Sequence, residues 1–462
     1  MGAAATIGQV ITFYSYKGGT GRSMSLANVA CLLAQRLGKE GNVLLVDWDL
    51  EAPGLHRFFP GRREASTSDT SLGLDHRKGL IDLFHKLDAA TPTSLPESDE
   101  EAEERAASAL DKVDLESFTV ESGISGIKLM RAGRDDDGRY AERIAQFNWE
   151  NLFRRSPILF RELADRWARA YRYVLVDSRT GVGDTSGICT SLLPEKLIVV
   201  FTPNRQSLTG IRTLVERATQ YRRESDDLRP LTVFPLPSRI EATREDLRVQ
   251  WRMGDPGRGI IGYQPMFEEI LRQTYGLSEC KLGPYFDNVQ IQQSPDYAYG
   301  ENIAVRTEQG TDRFSLSSSY RVFTDWLVNA PGPWRRQLEV DTLLDSLKER
   351  VGAEPAGSEQ RRGLEEIVGK LEESVKNTPV TPPASPAVVR SGFWAWFTNI
   401  EIFETALEAF KERRYLRASL QLINGVVQFL GGLMIIGAAL GFIGATVGFT
   451  IGGVQKLVGF IK

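Results

Sequence analysis

Cysteine and histidine are scarce in this chain: three of each in 462 residues. Cys31, Cys189 and Cys280 lie far apart with no C-x-x-C pair. That spacing excludes a disulfide framework and a structural zinc site, and it points to a reducing compartment. His56, His76 and His85 show no H-E-x-x-H spacing, which removes the zinc metalloprotease reading. Positive charge is not in excess either. Lys and Arg number 56 against 60 Asp and Glu, a net charge of −4, so broad electrostatic binding to nucleic acid is not expected. The first ten residues, MGAAATIGQV, lack a basic n-region and run into an apolar strand pattern, so no secretory leader is expected.

Charge is nearly missing from one long segment. From Leu422 to Ile461 the only charged side chain is Lys456, and the run is long enough to cross a bilayer. A buried core helix is the alternative, weakened because every face would be apolar. Gly437 and Gly441 are spaced by four, as are Gly444, Gly448 and Gly452, a small-residue stripe that permits close helix approach in lipid. Ahead of the run stand Phe393, Trp394, Trp396 and Phe397, then Lys411, Arg413, Arg414 and Arg417. The aromatics suit an interfacial anchor, and the basic cluster places its own side on the cytoplasmic face. One crossing, a hairpin near Gly441, and a soluble helical hairpin that hides its apolar surface all remain open.

The N-terminal two thirds read differently. GQVITFYSY, NVLLVDWDL, YRYVLVDS, KLIVVFTP and LTVFPLPS are apolar runs of strand length. Between them lie helical patterns such as SLANVACLLAQRLG and SLTGIRTLVERATQYRRE. Strand, glycine loop, helix and strand in that order form a βαβ unit, so the expected fold is α/β, a mostly parallel sheet flanked by helices. Residues 90–115 are an acidic stretch, expected as a solvated surface insertion. Residues 141–170 are expected to be helical, with Trp149, Phe153 and Phe160 as core anchors. The expected domains are 1–335 for nucleotide binding, a helical connector over 336–376, a proline-rich linker over 377–391, and 392–462 for the amphipathic and hydrophobic end.

Chemistry concentrates in three places. FYSYKGGTGRS offers Gly18, Gly19 and Gly21 for backbone contact with an anion, a helix N-terminus behind them, and Lys17 and Arg22 as cations. Ser23 can offer its hydroxyl to Mg²⁺. It misses the common pattern G-x-x-x-x-G-K-[ST] twice, at Tyr16 and at Arg22. VDWDLEAPG ends one strand with Asp47 and Asp49, and VLVDSRTG ends another with Asp177. Strand ends of an open α/β sheet are where ligands and Mg²⁺ carboxylates gather.

Taken together, Lys17-Gly18-Gly19-Thr20-Gly21-Arg22-Ser23 resembles the deviant Walker A motif K-G-G-x-x-K-[ST] of ParA/MinD-type ATPases, in the SIMIBI class of P-loop NTPases. In that motif the pattern begins at the lysine, so Tyr16 is permitted. VDWDLEAPG looks like the family's switch I segment, VLVDSRTG like its Walker B and switch II segment, and FTPNRQS like the segment whose asparagine helps read adenine. The resemblance covers roughly residues 8–240 and extends to a bacterial subgroup with K-G-G-x-G-R loops, often associated with signalling or defence modules. It implies ATP and Mg²⁺ as cofactors, with Lys17 reaching the partner's nucleotide across a dimer. It implies that Gly18, Gly19, Thr20, Gly21, Arg22, Ser23 and Met24 wrap the nucleotide phosphates. Ser23, Asp47 and Asp177 would lie at the metal, Asp49 would position the attacking water, and Asn204 would touch adenine. Arg22 departs from the family lysine; it keeps the charge but is longer and planar, which leaves binding intact and puts the hydrolysis rate in question.

The expectation is therefore a membrane-anchored, ATP-dependent dimerising switch on the cytoplasmic face of the bacterial inner membrane. Its partners would be ATP, a second copy or higher homo-oligomer, membrane lipid through 392–462, and a protein the sequence does not identify. The competing expectation is a membrane-perturbing effector in which the nucleotide domain senses. A tyrosine kinase would carry a tyrosine-rich tail, and a metal-cluster ATPase would need paired cysteines. Cys31 and Cys189, single and in apolar or small-residue surroundings, read as buried structural cysteines. Tyr297, Tyr299 and Glu301 read as part of a packed loop near the site.

Overall fold

The computed structural model describes residues 7–334 apart from 39–40, 60–76, 135–137, 226–228, 230, 242 and 309–314; beyond 334 it describes only positions 348, 351, 361, 365, 368 and 369. The readings placed on the proline-rich linker, the aromatic anchor and the apolar run lie outside the described residues. Among the described residues, no helix is long and apolar enough to cross a membrane.

The chain begins β1 (Gln9–Tyr14), α1 (Arg22–Leu37) and β2 (Val43–Asp47), followed by α2 (Leu55–Phe58), α3 (Leu80–Ala90) and α4 (Asp99–Asp111). Next come β3 (Val120–Glu121), β4 (Ile127–Met130), α5 (Tyr140–Gln146), α6 (Trp149–Arg155), α7 (Leu159–Ala170) and β5 (Tyr173–Asp177). α8 (Asp184–Gly187) runs into a π-helical turn at Ile188–Leu192, before β6 (Lys196–Phe201), α9 (Arg205–Glu224) and β7 (Thr232–Pro237). A small module of α10 (Glu245–Met253), β8 (Gly254–Asp255) and β9 (Ile260–Ile261) precedes α11 (Tyr263–Tyr275), α12 (Gly283–Asn288), α13 (Ala304–Thr307) and α14 (Leu316–Asn329).

All five apolar runs of the sequence form strands. They sit in a seven-stranded sheet of order β3-β4-β2-β5-β1-β6-β7, parallel except for β3. β2, β5 and β6 are buried along their whole length, as a parallel sheet covered on both faces requires. Side chains alternate between two cores with the period-two rule of a strand. Ile11, Leu45 and Leu175 face the core built with α1, α9, α11 and α14, whereas Val10, Leu44, Val46, Val174 and Val176 face the core built with α3, α4, α6 and α7. Trp149, Phe153 and Phe160 are buried in the second core as expected, around Trp48 and Phe84.

The acidic stretch 90–115 departs from its expectation. α4 does carry its first-turn acids outward, which suits a helix N-terminus. Yet Ala102, Ala106 and Ala109 are buried against the second core, and Asp111 pairs with Arg166 of α7 at 2.7 Å. Alanines spaced by four and three form one helix face, and the surrounding acids mask it in the sequence.

Candidate functional site

The sheet delivers the site through its order and register. β1 is central, its chain leaves through the loop 15–21 into α1, and β5 lies beside it. Register pairs Asp47 with Asp177 and Phe13 with Asp177, so both aspartates stand at the carboxyl edge next to the loop. The connection from β1 leads to one side of the sheet and β6 lies on the other, the crevice where open α/β sheets bind ligands.

The loop itself is shaped for an anion. Gly21 caps α1 at φ 85°, a left-handed conformation that a residue with a Cβ adopts only at a cost, and it offers no side chain to the first-turn N–H groups. α1 has no acidic residue in its first turn, so no carboxylate from the helix itself sits at the positive end of the dipole. Gly18 and Gly19 are exposed, with open space where a Cβ would lie. Beneath them Ser15 Oγ, Thr20 Oγ1, Arg22 Nη1 and Ser238 Oγ are buried without a hydrogen-bond partner among the described residues. Buried donors left unmade are costly, and four around one glycine loop fit the polyanionic chain of a nucleotide.

Tyr16, the residue that broke the common motif, has a packing role. A Cβ built on Gly210 of α9 would fall on the Tyr16 ring, so the glycine makes a seat that ties the loop to α9.

Arg22 is turned towards the strand-end carboxylates. It is 7% exposed, and its Nε donates to Asp177 Oδ1 at 2.5 Å while its Nη2 donates to Asp49 Oδ2 at 2.8 Å. Burial alone would lower its pKa; the carboxylates of Asp177 and Asp49 outweigh that and raise it above the ordinary arginine value. Ser23 Oγ donates to the other oxygen of Asp177 at 2.6 Å. Asp47 accepts from the backbone N–H of Leu55 at 3.1 Å and of Asp49 at 3.3 Å. Burial, then the charges of Asp177 and Asp49, push the Asp47 carboxyl well above the usual range, and burial also raises Asp177 against the pull of Arg22 and Ser23.

Arg22 thus bridges two acidic side chains, Asp177 and Asp49, while Asp47 beside them is held by backbone N–H groups. Ser23, hydrogen-bonded to Asp177, and Asp47, in register with Asp177, are oxygen donors of the kind a hard divalent ion such as Mg²⁺ takes; among the described residues no cluster of three acidic, histidine or cysteine side chains is arranged to hold an ion.

The remaining expected residues fall around this centre. Met24 is half-buried, its Cε 3.5 Å from where a Cβ of Gly21 would be. Lys17 is half-exposed and makes no ion pair among the described residues, its ammonium 5.8 Å from the Tyr16 ring centroid. Asn204 is exposed at the end of β6 and caps α9, accepting from the Ser207 N–H at 2.9 Å. Tyr297 packs partly and shares a hydrogen bond with Thr307 at 2.9 Å, but Tyr299 is 86% exposed, so the packed-loop reading does not extend to it. Glu301 reaches Arg57 at 3.8 Å. All three cysteines are buried and free; burial pushes the Cys31 thiol up to about 11 and the Cys189 thiol well up, as inert structural cysteines require.

Sequence reasoning missed Ser238, whose Oγ stands 3.4 Å from a Cβ position on Gly21. It also missed the ion pair of Arg179 with Glu51 at 2.6 Å, which joins the segments after β5 and β2. The strand end LPSR and the charges in DLEAP and DSRTG were visible, but not their meeting.

A mostly parallel seven-stranded sheet flanked by helices, with a glycine loop opening a helix after its β1 and aspartates on two neighbouring strand ends, is an open α/β fold. Known structures of similar shape are ParA- and MinD-family proteins. The septum site-determining protein MinD of Pyrococcus horikoshii OT3, solved with Mg-ADP, is 15% identical with a TM-score of 0.42, covering 71% of this chain and 99% of its own. A plasmid partition protein of Borrelia burgdorferi is 14% identical with a TM-score of 0.40, covering 70% of this chain and 99% of its own. A ParA family ATPase of Chlorobium tepidum TLS is 18% identical with a TM-score of 0.37, covering 69% and 97%. At such identity and superposition these likenesses say nothing about what this chain binds or does. No protein-family model and no curated protein matches it.

Proposed function

We propose that the chain is an ATP-binding, slowly hydrolysing dimeric switch. Residues 392–462 would attach it to the cytoplasmic face of a bacterial membrane, in a signalling or defence setting. The observation that carries the nucleotide half is the convergence of a left-handed glycine loop, four unpartnered buried polar atoms and three strand-end carboxylates at one sheet edge. The membrane half is supported by the charge-poor run 422–461 and the aromatic and basic residues before it.

Each residue has work that its surroundings suit. Gly18 to Gly21 bind phosphate through backbone N–H groups, and the orphaned hydroxyls hold the loop's geometry once the anion is in place. Arg22 has two positions to choose between: the carboxylates it grips in the ligand-free chain, and the phosphates that its spare Nη1 can meet. Binding therefore competes with two charge-assisted hydrogen bonds. Moving Arg22 would free Asp49 to orient a water, and free Asp177 and Ser23, with Asp47, to hold Mg²⁺. When bound, that ion supplies charge neutralisation at the phosphate oxygens. Lys17, without an ion pair among the described residues, is the group available to a second copy. A slow switch follows from the competition, since every cycle must undo a buried ion pair. The same competition favours the second reading, in which the domain senses nucleotide for a membrane-perturbing tail; leakage that needs 422–461 but not Asp49 would mark that reading.

The decisive measurement is ATP binding and turnover by the full chain beside Arg22→Ala and Lys17→Ala. We expect Arg22→Ala to lose binding or turnover, and Lys17→Ala to lose turnover and ATP-dependent dimerisation. Normal binding and turnover in both variants would sink the assignment.

A further inference from the structure

The left-handed glycine that opens α1 is held from behind by the last helices of the domain. The Gly21 carbonyl accepts from the Ser25 N–H and again from Ser25 Oγ, both at 2.9 Å. Ser25 Oγ also lies 3.3 Å from the hydroxyl of Tyr320 in α14, 295 residues further along the chain. A serine hydroxyl carries one proton, and that of Ser25 is engaged with Gly21, so Tyr320 is the donor in the second bond. Both side chains are fully buried. Burial raises the Tyr320 phenol above its ordinary range, so it keeps the proton this bond needs. Asn28 repeats the arrangement. Its Nδ2 donates to the Met24 carbonyl at 2.9 Å, and its Oδ1 accepts from the Val305 N–H of α13 at 3.0 Å. Ser25 and Asn28 are three apart and share one face of α1. Through them α13 and α14 hold the backbone carbonyls at the start of the helix.

The peptide unit between Gly21 and Arg22 is where this bears on the loop. It is planar and trans, so its C=O and N–H point in opposite directions. With the carbonyl tied into the helix, the Arg22 N–H faces out of it, the direction from which an anion meets a helix N-terminus. Glycine at φ 85° has backbone freedom that a residue with a Cβ lacks, so the second bond from Ser25 fixes what the residue type leaves loose. Hydrogen bonds in a buried chain polarise one another. Tyr320 donating to Ser25 therefore strengthens the Ser25 bond to Gly21, and an anion on the Arg22 N–H makes the same peptide's carbonyl a better acceptor. Tyr285 offers a contrast in the same core, since its hydroxyl donates to the Pro235 carbonyl of β7 at 2.9 Å.

We infer that Tyr320 is a positioning residue for the nucleotide loop, acting through Ser25 on the Gly21–Arg22 peptide. This rests on the reading that the loop binds nucleotide phosphate. The test is binding of mant-ATP, a fluorescent ATP analogue, with Mg²⁺ to the full chain, well below the unfolding midpoint of every variant. Tyr320→Phe removes one hydroxyl and keeps the ring, Ser25→Ala removes the link, and Tyr285→Phe loses a buried tyrosine hydrogen bond elsewhere. The expected result is binding weakened roughly three- to tenfold by Tyr320→Phe and by Ser25→Ala. The double variant should bind no worse than Ser25→Ala alone, because the tyrosine acts through the serine. Tyr285→Phe should unfold at lower temperature with its affinity unchanged. If wild type binds and Tyr320→Phe binds equally well, the positioning role is wrong and the nucleotide reading stands. Additive losses in the double variant, an equal loss in Tyr285→Phe, or a Tyr320→Phe protein that does not fold would make Tyr320 a core residue only and overturn the inference. A wild type that does not bind mant-ATP overturns both.

Discussion

Replacing Arg22 with methionine removes a guanidinium that two carboxylates share, and the consequence can be worked from the geometry. Arg22 and Asp177 are 7% and 1% exposed, Asp49 is 14% exposed, and the contacts are 2.5 and 2.8 Å. Near a protein surface one such contact corresponds to about 4 kcal/mol of Coulomb attraction, most of it offset by desolvation. Removing one partner is different from removing both, because it leaves Asp177 buried beside Asp47 with no cation. A loss of about 3–5 kcal/mol in the nucleotide-free protein is expected for Arg22→Met. Asp177→Asn should also destabilise. The double variant should be more stable than the sum of the two losses predicts, by about 1–3 kcal/mol of coupling. Guanidinium unfolding in EDTA without nucleotide reads all four proteins. Arg22→Lys should recover only part of the loss, since an ammonium cannot present two forked donors to two carboxylates. Strictly additive losses, or a single variant as stable as wild type, would refute the view that Arg22 is latched in the ligand-free state.

Gly210→Ala places a methyl on the Tyr16 ring; despite the gain in helix propensity of about 1 kcal/mol, we expect a net loss of about 1–3 kcal/mol and weaker ATP binding. Adding Tyr16→Ala should restore stability, and a double variant no better than Gly210→Ala would refute the seat. Burial lowers the Lys196 ammonium from 10.5 to about 8, while its Nζ donates to the Leu327 carbonyl at 2.6 Å. Between those values the unfolded chain binds more protons than the folded one, so this group makes stability rise as pH climbs from about 8 towards 10. The full effect is about 3 kcal/mol; chemical unfolding at pH 7, 8.5 and 9.5 should show a rise that Lys196→Met lacks. Equal pH slopes in the two proteins would refute it.

Much of the fold was legible because its signal is local. NVLLVD, YVLVD and KLIVVF are uninterrupted apolar runs bounded by turn residues, and a strand buried on both faces leaves that mark. IKLM of β4 did not, since four residues with a lysine among them carry no period. α4 misled because its acids outnumber the alanines that pack. In the site, the glycines, both cations and the aspartates could be named from spacing, but not who would touch whom. Arg22 and Asp177 lie 155 residues apart, and only the register of β1 against β5 makes them neighbours. The sequence alone determined that a phosphate-shaped loop and strand-end carboxylates exist, because backbone freedom and charge are properties of single residues. The tertiary structure decided that the loop's arginine rests on those carboxylates, because burial and mutual distance belong to the sheet and to no residue in it.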